Sequence, residues 1–600
     1  MTVFCKAVGR VLRPSQLAPR TRTTDFRHRL GLGARCVAAA CVVAPLLAQT
    51  PQQQTFRSNI TIVPVDVRVV DAAGRAVTDL RQEDFTLKED GAVQAIRHFA
   101  TQPFAPDATA AAAVMPDVRI GRPADMAPQN RRIHLVVLGR GRHQAASKYI
   151  DALARFVKNQ TLPQDQMALL AWNRATDFTT DHATMARLIE RYRDAADSIE
   201  ADLRLWFSGL QGLYGSKDIP AHIQKKIDAV FSEVTALRPR PLPPAPTTDA
   251  QRINTGIQRT SDAEGLLLSG FRTLPDPTAA RIRHPSGLAL TFDEYIERST
   301  ELMQDVGNLY AGIGYLRFLE GEKHLIFITE SGISLPDQSS NASLARVAAD
   351  ARIALDFVQT GGTRVARAFS SPTVASHVSF AQIFALQDLR LMADRTGGQL
   401  MALRTGAESF RRLEDGMRFQ YLLGYTPANP LMDEKFRRIA VTVNRRGVRV
   451  LAREGYVAAE VPVMLDRRQM ITFNRIRAAA GYGGVIDHIK LTLGAPSVAA
   501  KELFVDVTVD VSKLQFTDQP THREATLDVA LFCGDDNGRP IGETQRRVDL
   551  RLDDAALARA RERGTTFRLS ALLTGPAKRI KVVVYDYGAD LVGSAVAKVK

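Results

Sequence analysis

Two short stretches carry residue types that can do chemistry. Gly139-Arg140-Gly141-Arg142-His143 follows the apolar run Ile133–Leu138, and Thr329-Glu330-Ser331-Gly332 follows the apolar run that starts at Leu325. A guanidinium grips a carboxylate through two parallel N–H···O bonds and needs no metal to do so. Arg140 or Arg142, with His143 beside them and Glu330 as the balancing charge, is a candidate clamp for an acidic side chain of a partner. The plainer alternative is that these arginines only solvate a loop.

Catalytic signatures are missing from the sequence. It holds no His-Glu-x-x-His, no P-loop, no Gly-x-Ser-x-Gly elbow and no Gly-x-Gly-x-x-Gly opening a helix. Gly139-Arg140-Gly141 matches only the start of a dinucleotide fingerprint, without the third glycine or the following acidic residue. His134 and His324 sit in or beside apolar runs and read as satisfied core residues. His182 follows Asp181, which suits a helix N-cap. The turn Asp535-Asp536-Asn537-Gly538 is rich in oxygen but lacks the length and distal Glu of a Ca²⁺ loop. The expectation is a protein that is not an enzyme.

The elements that must position these residues follow from hydrophobic period. Val65, Val67 and Val69 alternate with Asp66 and Arg68, and Asp84–Glu89 alternates again before Asp90-Gly91, so 56–100 is a small β unit. Residues 101–130, rich in Ala, Pro and Asp, read as a linker. From Arg131 short apolar runs suited to buried parallel strands (133–138, 167–172, 325–329) alternate with helical patterns, so 131–417 is a doubly wound α/β unit. Helices are expected over 147–159, 344–358 and 380–395, with a strand near 365–369 and a last one at 399–403. A largely helical insertion, 195–320, interrupts the rhythm. Period two returns in a meander over 418–457. A linker with a short helix, 458–485, leads to a C-terminal β-sandwich, 486–600. Two tiny β units each bury too little surface to stand alone, so 56–100 and 418–457 are expected to pair across the inserted α/β unit.

Bulk properties narrow the function classes. The chain has 600 residues and a formal charge of +15, of which +7 lies in residues 1–35. The remainder is ordinary, with no basic run interleaved with aromatics, which argues against nucleic acid. The basic start precedes the uncharged run Cys36–Ala48, the pattern of a secretory signal over 1–48. The alternatives are an uncleaved anchor, the one route to a membrane, and a lipoprotein site at Cys41. Three of the four cysteines fall in this leader, and Cys533 alone cannot form an internal disulfide.

The chain also resembles the exported VWFA-related proteins of the acidobacterial type, relatives of the von Willebrand factor type A (VWA) domain, over 56–457. The marks are Val69-Val70-Asp71-(x)2-Gly74-Arg75-x-Val77-(x)2-Leu80-(x)2-Glu83-Asp84-Phe85, then Glu89-Asp90-Gly91 and Gln94-x-Ile96. Phe178-Thr179-x-Asp181, Ala393-(x)2-Thr396-Gly397-Gly398, Tyr421-(x)2-Gly424-Tyr425-x-Pro427 and Arg453-x-Gly455-Tyr456 follow in order. The resemblance implies a Rossmann-like VWA domain in a secreted or periplasmic protein that binds other proteins. In that family a divalent cation sits at the carboxyl ends of the strands, held by Asp-x-Ser-x-Ser, a loop Thr and a second Asp. Here those first positions would be Gly139, Gly141 and His143, and Glu330 stands where Asp is usual. Hard cations need oxygen ligands, so the expectation is a degenerate site with no metal and no other cofactor. The expected function is metal-independent protein–protein interaction at the cell envelope. The alternatives are an envelope hydrolase with its site in 195–320, or an envelope-polymer binder.

Overall fold

The computed structural model describes residues 62–106, 131–141, 148–214, 219–234, 236–237, 282–283, 289–330, 332–333, 335, 338–360, 386–402, 404–459 and 468–599. It combines helices with several small sheets, an α/β body joined to β units. The leader lies outside the described residues, as do 107–130 of the expected linker and the strand expected at 365–369; the linker expected over 101–130 is corrected at its start, where 101–103 are strand. Among the described residues no helix is long and apolar enough to cross a membrane.

The first β unit contains β1 (Val63–Asp71), β2 (Phe85–Glu89), β3 (Ala92–Gln94) and β4 (His98–Pro103). In β1 the odd positions Val63, Val65, Val67 and Val69 face one core, as period two requires. Its even positions are not solvated. Arg68 is buried, and Asp66 accepts a two-pronged pair from Arg352 at 2.7 and 2.6 Å. The polar side of β1 is therefore a docking face for the α/β body.

That body is built on β5 (Arg132–Leu138), α1 (Tyr149–Asn159), β6 (Gln166–Ala171), β7 (Arg174–Thr176), α2 (His182–Trp206), α3 (Ala221–Val230) and β8 (Ala236–Leu237). A short hairpin of β9 (Ile282–Arg283) and β10 (Ala289–Leu290) precedes α4 (Phe292–Leu316). The body continues with β11 (Glu322–Thr329), α5 (Gln338–Asp350), β12 (Ile353–Gln359), the helical residues 386–396 (α6), β13 (Leu400–Met401) and α7 (Gly406–Met417). The seven strands lie in the order β13-β12-β11-β5-β6-β7-β8. The first five in that order are parallel, and β7 runs antiparallel to β6. Both faces are buried. Val136 and Leu138 pack with Phe156 of α1, Ile189 of α2 and Phe410 of α7. Leu135 and Val137 pack with Leu309 and Ile313 of α4, Leu344 of α5 and Met392 of α6. This is why each strand reads as a continuous apolar run.

One expectation about this body is corrected. Helix 344–358 stops at Asp350, and Ile353–Gln359 is a strand. Arg352 takes φ +55, which ends the helix, and the short run Ile353–Val358 is apolar enough for either state.

The chain then returns to the first unit. β14 (Phe419–Tyr425) inserts between β1 and β4, and β16 (Val448–Ala452) pairs with the other side of β1. β15 (Phe436–Val443) pairs with β2, and β17 (Gly455–Val457) with β15. The two sheets, β16-β1-β14-β4 and β17-β15-β2-β3, close over Val65, Val67, Leu87, Tyr421, Leu423 and Ile439.

Residues 458–485 are no simple spacer. α8 (Arg468–Gly481) buries Ile476, Ala479 and Ala480 against Phe532, Val583 and Tyr585 of the last unit and against Tyr295 and Ile296 of α4. Beyond it lie β18 (Leu491–Leu493), β19 (Ser497–Ala499), β20 (Glu502–Val509), β21 (Thr517–Asp518), β22 (Arg523–Gly534), β23 (Pro540–Leu552), α9 (Asp554–Arg563), β24 (Thr565–Leu572), β25 (Arg579–Asp586) and β26 (Leu591–Lys598). One sheet centres on β20 and the other on β22, and Val505, Val507, Leu527, Val529, Val582 and Val584 fill the space between.

Candidate functional site

The chain leaves β5 at the carboxyl end of the sheet, beside β11. Connections run in opposite directions from this pair of strands, which is where open α/β sheets bind ligands. Gly139 makes the exit possible. A Cβ there would lie 2.9 Å from Ile328 O and 3.0 Å from Phe327 Cζ. Gly141, at φ +98, turns the chain again. Between the two glycines Arg140 points inward and is only 4% exposed.

Its partners come from two helices and the end of β6. Arg140 Nε donates to Glu200 Oε1 at 2.9 Å and Oε2 at 3.0 Å, and Gly141 N donates to Glu200 Oε2 at 3.3 Å. The backbone N of Arg140 donates to Asp305 Oδ1 at 2.7 Å. Trp172, held at φ +50 after β6, donates Nε1 to Glu200 Oε1 at 2.8 Å, and its carbonyl accepts from Asn308 Nδ2 at 3.0 Å. Glu301 completes the group, with Oε2 4.0 Å from where a Gly141 Cβ would stand.

The electrostatics follow from burial. Desolvation drives the Asp305 carboxyl well above its usual range, only partly offset by its bond from the Arg140 amide. Burial likewise lifts Glu301 to about 7, with Arg140 pulling the other way. For Arg140, burial lowers the pKa, but the Glu200 carboxylate outweighs it and the guanidinium is held charged. A permanent cation thus lies among three carboxyl groups at the carboxyl end of β5. Among the described residues no group of three or more His, Cys, Asp or Glu side chains is arranged to hold a metal ion.

The expected clamp is therefore corrected at Arg140. Its side chain is turned into the body, and the carboxylate that receives it is Glu200, not Glu330. Glu330 stands at the end of β11, half-buried, with its backbone carbonyl accepting from Gln359 Nε2 at 2.9 Å. Arg142 and His143 lie outside the described residues. Glu200 and Asp305 were missed in the sequence. The signal was an acidic residue on an apolar stripe: Glu200 shares its face with Ala196 and Leu203, and Asp305 with Leu302 and Leu309.

The opposite end of the sheet holds a second buried polar group. His324 Nδ1 lies 2.7 Å from Asp356 Oδ2 and Nε2 lies 3.1 Å from Glu322 Oε1. Arg68 of β1 reaches over this ring and donates Nη2 to Gly397 O at 2.6 Å. His134 stacks on His324 at 5.5 Å, yet neither of its ring nitrogens has a hydrogen-bond partner among the described residues. Burial lowers its pKa and keeps it neutral. His134 is thus a core residue whose polar contact, Nε2 to Asp165 Oδ2 at 3.8 Å, is too long for a hydrogen bond.

No family model matches the chain, and no curated protein matches it. Among solved structures, the crystal structure of the TFIIH p34 N-terminal domain is similar at 13% identity over 48% of this chain and 97% of that chain, with a TM-score of 0.16. At that score the likeness adds nothing to what the fold itself shows.

Proposed function

We propose that the chain is a VWA-like, exported protein of the secreted or periplasmic compartment that mediates protein–protein interaction at the cell envelope without a divalent metal. In this reading the α/β body is a doubly wound VWA-like domain, the C-terminal unit is a β-sandwich, and the protein is not an enzyme. Its strand order favours the reading. With the two-residue strand β8 left out, it runs 3-2-1-4-5-6 in chain order from β7 to β13, with β7 antiparallel to its neighbour and β8 outside it. The motifs shared with the VWFA-related proteins favour it too.

The observation that carries the metal-free part is the Arg140 guanidinium between Glu200, Glu301 and Asp305. A fixed internal cation already occupies the Glu200 carboxylate, and burial favours the protonated forms of Glu301 and Asp305, which leaves little carboxylate charge for a divalent ion. Affinity capture of partners from envelope extract, with and without EDTA, tests it. Equal capture is expected. Loss of capture in EDTA, or tight stoichiometric binding of Mg²⁺ or Mn²⁺ by calorimetry, overturns it.

One observation favours a second reading, a hydrolase. Glu301 titrates near neutrality beside Asp305, as a general acid would. Turnover of chromogenic esters or peptides that disappears in Glu301→Gln would favour it over the binding role.

A further inference from the structure

A cleft lies where the first β unit meets the α/β body, far in sequence from Arg140. It encloses about 300 Å³ between the end of β1, the start of β16, the edge strand β13 and the start of α7. That volume is at the small end of ligand-sized cavities. Three arginines line it: Arg404, Arg412 and Arg449.

Their charge is incompletely balanced. Arg404 Nη1 and Arg412 Nε both donate to the same oxygen, Glu408 Oε1, at 2.7 and 3.0 Å. Among the described residues Arg449 has long contacts with Gly398 O at 3.4 Å and with Asp394 Oδ1 at 3.8 Å. Asp71, the carboxylate of the cleft wall, is spent on its own loop. It accepts from the amides of Ala73 and Arg75 at 2.8 and 2.9 Å and from Arg75 Nε at 2.9 Å. Two guanidinia thus share one carboxylate, and a third is held loosely.

The cleft is also built rather than incidental. Gly74, at φ +85, lets Arg412 lie across the loop: a Cβ there would stand 3.2 Å from Arg412 Cγ. Arg412 Nη1 also donates to Ala72 O at 3.2 Å, which fixes its reach. The back wall is the sheet margin. β13 has no strand on its outer side among the described residues, and Leu400 and Met401 line the cavity. Gln399 beside them is 3% exposed, and its Nε2 has no hydrogen-bond partner among the described residues.

We propose that this cleft binds an extended acidic segment of a partner protein, laid along β13 with its carboxylates on Arg404, Arg412 and Arg449. An open strand edge offers backbone groups to an extended chain. Successive side chains of an added strand alternate, so every second one meets the arginine side. Guanidinium forks match carboxylates in shape and charge. The proposal stands apart from the metal-free reading of the sheet top, because its test involves neither a divalent ion nor a chelator.

The test is fluorescence anisotropy on the full chain with a fluorescein-labelled peptide of alternating Val and Glu, and with its Val/Gln counterpart. The double variant Arg404→Glu, Arg449→Glu changes two exposed side chains, and an unchanged urea midpoint shows that it folds. The acidic peptide should bind the native chain and bind the variant at least about tenfold more weakly, and the Gln peptide should bind at least about tenfold more weakly than the acidic one. Excess inorganic phosphate should compete poorly. Absent binding, equal binding of the neutral peptide, undiminished binding to the folded variant, or displacement by phosphate as effective as by unlabelled peptide would each overturn the proposal.

Discussion

Arg140 and Glu200 meet inside the α/β body with the guanidinium Nε 2.9 Å from one carboxylate oxygen and 3.0 Å from the other, and neither side chain is more than 3% exposed. The pair joins the exit of β5 to α2 and, through Trp172, to the exit of β6.

Breaking one partner of a buried pair leaves an uncompensated charge. Arg140→Met should cost about 3–5 kcal/mol, because Glu200 then keeps only neutral donors, Trp172 Nε1 and the Gly141 amide, and no opposite charge from Arg140. The double change Arg140→Met with Glu200→Gln should cost clearly less than the sum. Urea unfolding followed by far-UV circular dichroism checks both. Additive losses would mean that the two side chains are not coupled.

Glu301 makes stability depend on pH in a defined direction. Its folded pKa is about 7, above the ordinary 4.5, so the native chain binds a proton that the unfolded chain releases. The contribution is fully present below pH 4.5 and is lost as pH rises through about 7. At most about 3 kcal/mol is at stake. Glu301→Gln should flatten the curve in that window. Identical pH profiles for the two proteins would exclude the burial effect.

His324 adds a second pH term. Burial and Arg68 lower its pKa, but Glu322 and Asp356 outweigh them, and the net shift is upward from 6.5. Its contribution is complete below pH 6.5 and falls away as pH rises through the folded value. His324→Asn should remove that alkaline loss and loosen β1, since Arg68 rests on the ring. Hydrogen exchange at the amides of Val65, Val67 and Val69 reads the loosening.

Two glycines should respond differently to alanine. At Gly398 a Cβ would stand 1.9 Å from Leu355 O, so the backbone must shift and the loss should reach about 3 kcal/mol or more. At Gly91, φ is +86 but nothing lies within 4 Å, so only the left-handed backbone is penalised, about 1–2 kcal/mol. Thermal melts of the two variants compare them directly.

Much of the local structure can be read from the sequence. Valines at every second position mark β1, and unbroken apolar runs coincide with β5, β6 and β11. Local pattern failed where it does not discriminate. Ile353–Gln359 is short and apolar, and only the φ of Arg352 and the flanking strands make it β12. α8 lacks a clean stripe, because Ala478, Ala479 and Ala480 are all buried between two bodies.

The sequence by itself determined the periods: which segments alternate by two, which run apolar, and where glycine permits a turn. It also placed Arg140 at the exit of a buried strand. Only the tertiary structure decided what Arg140 meets, because Glu200 and Asp305 lie 60 and 165 residues further along the chain. A charge near the end of a strand is compatible with solvent, a partner or an internal acid. The choice depends on which helix faces pack over the sheet, and that is a property of the assembled core rather than of any local pattern.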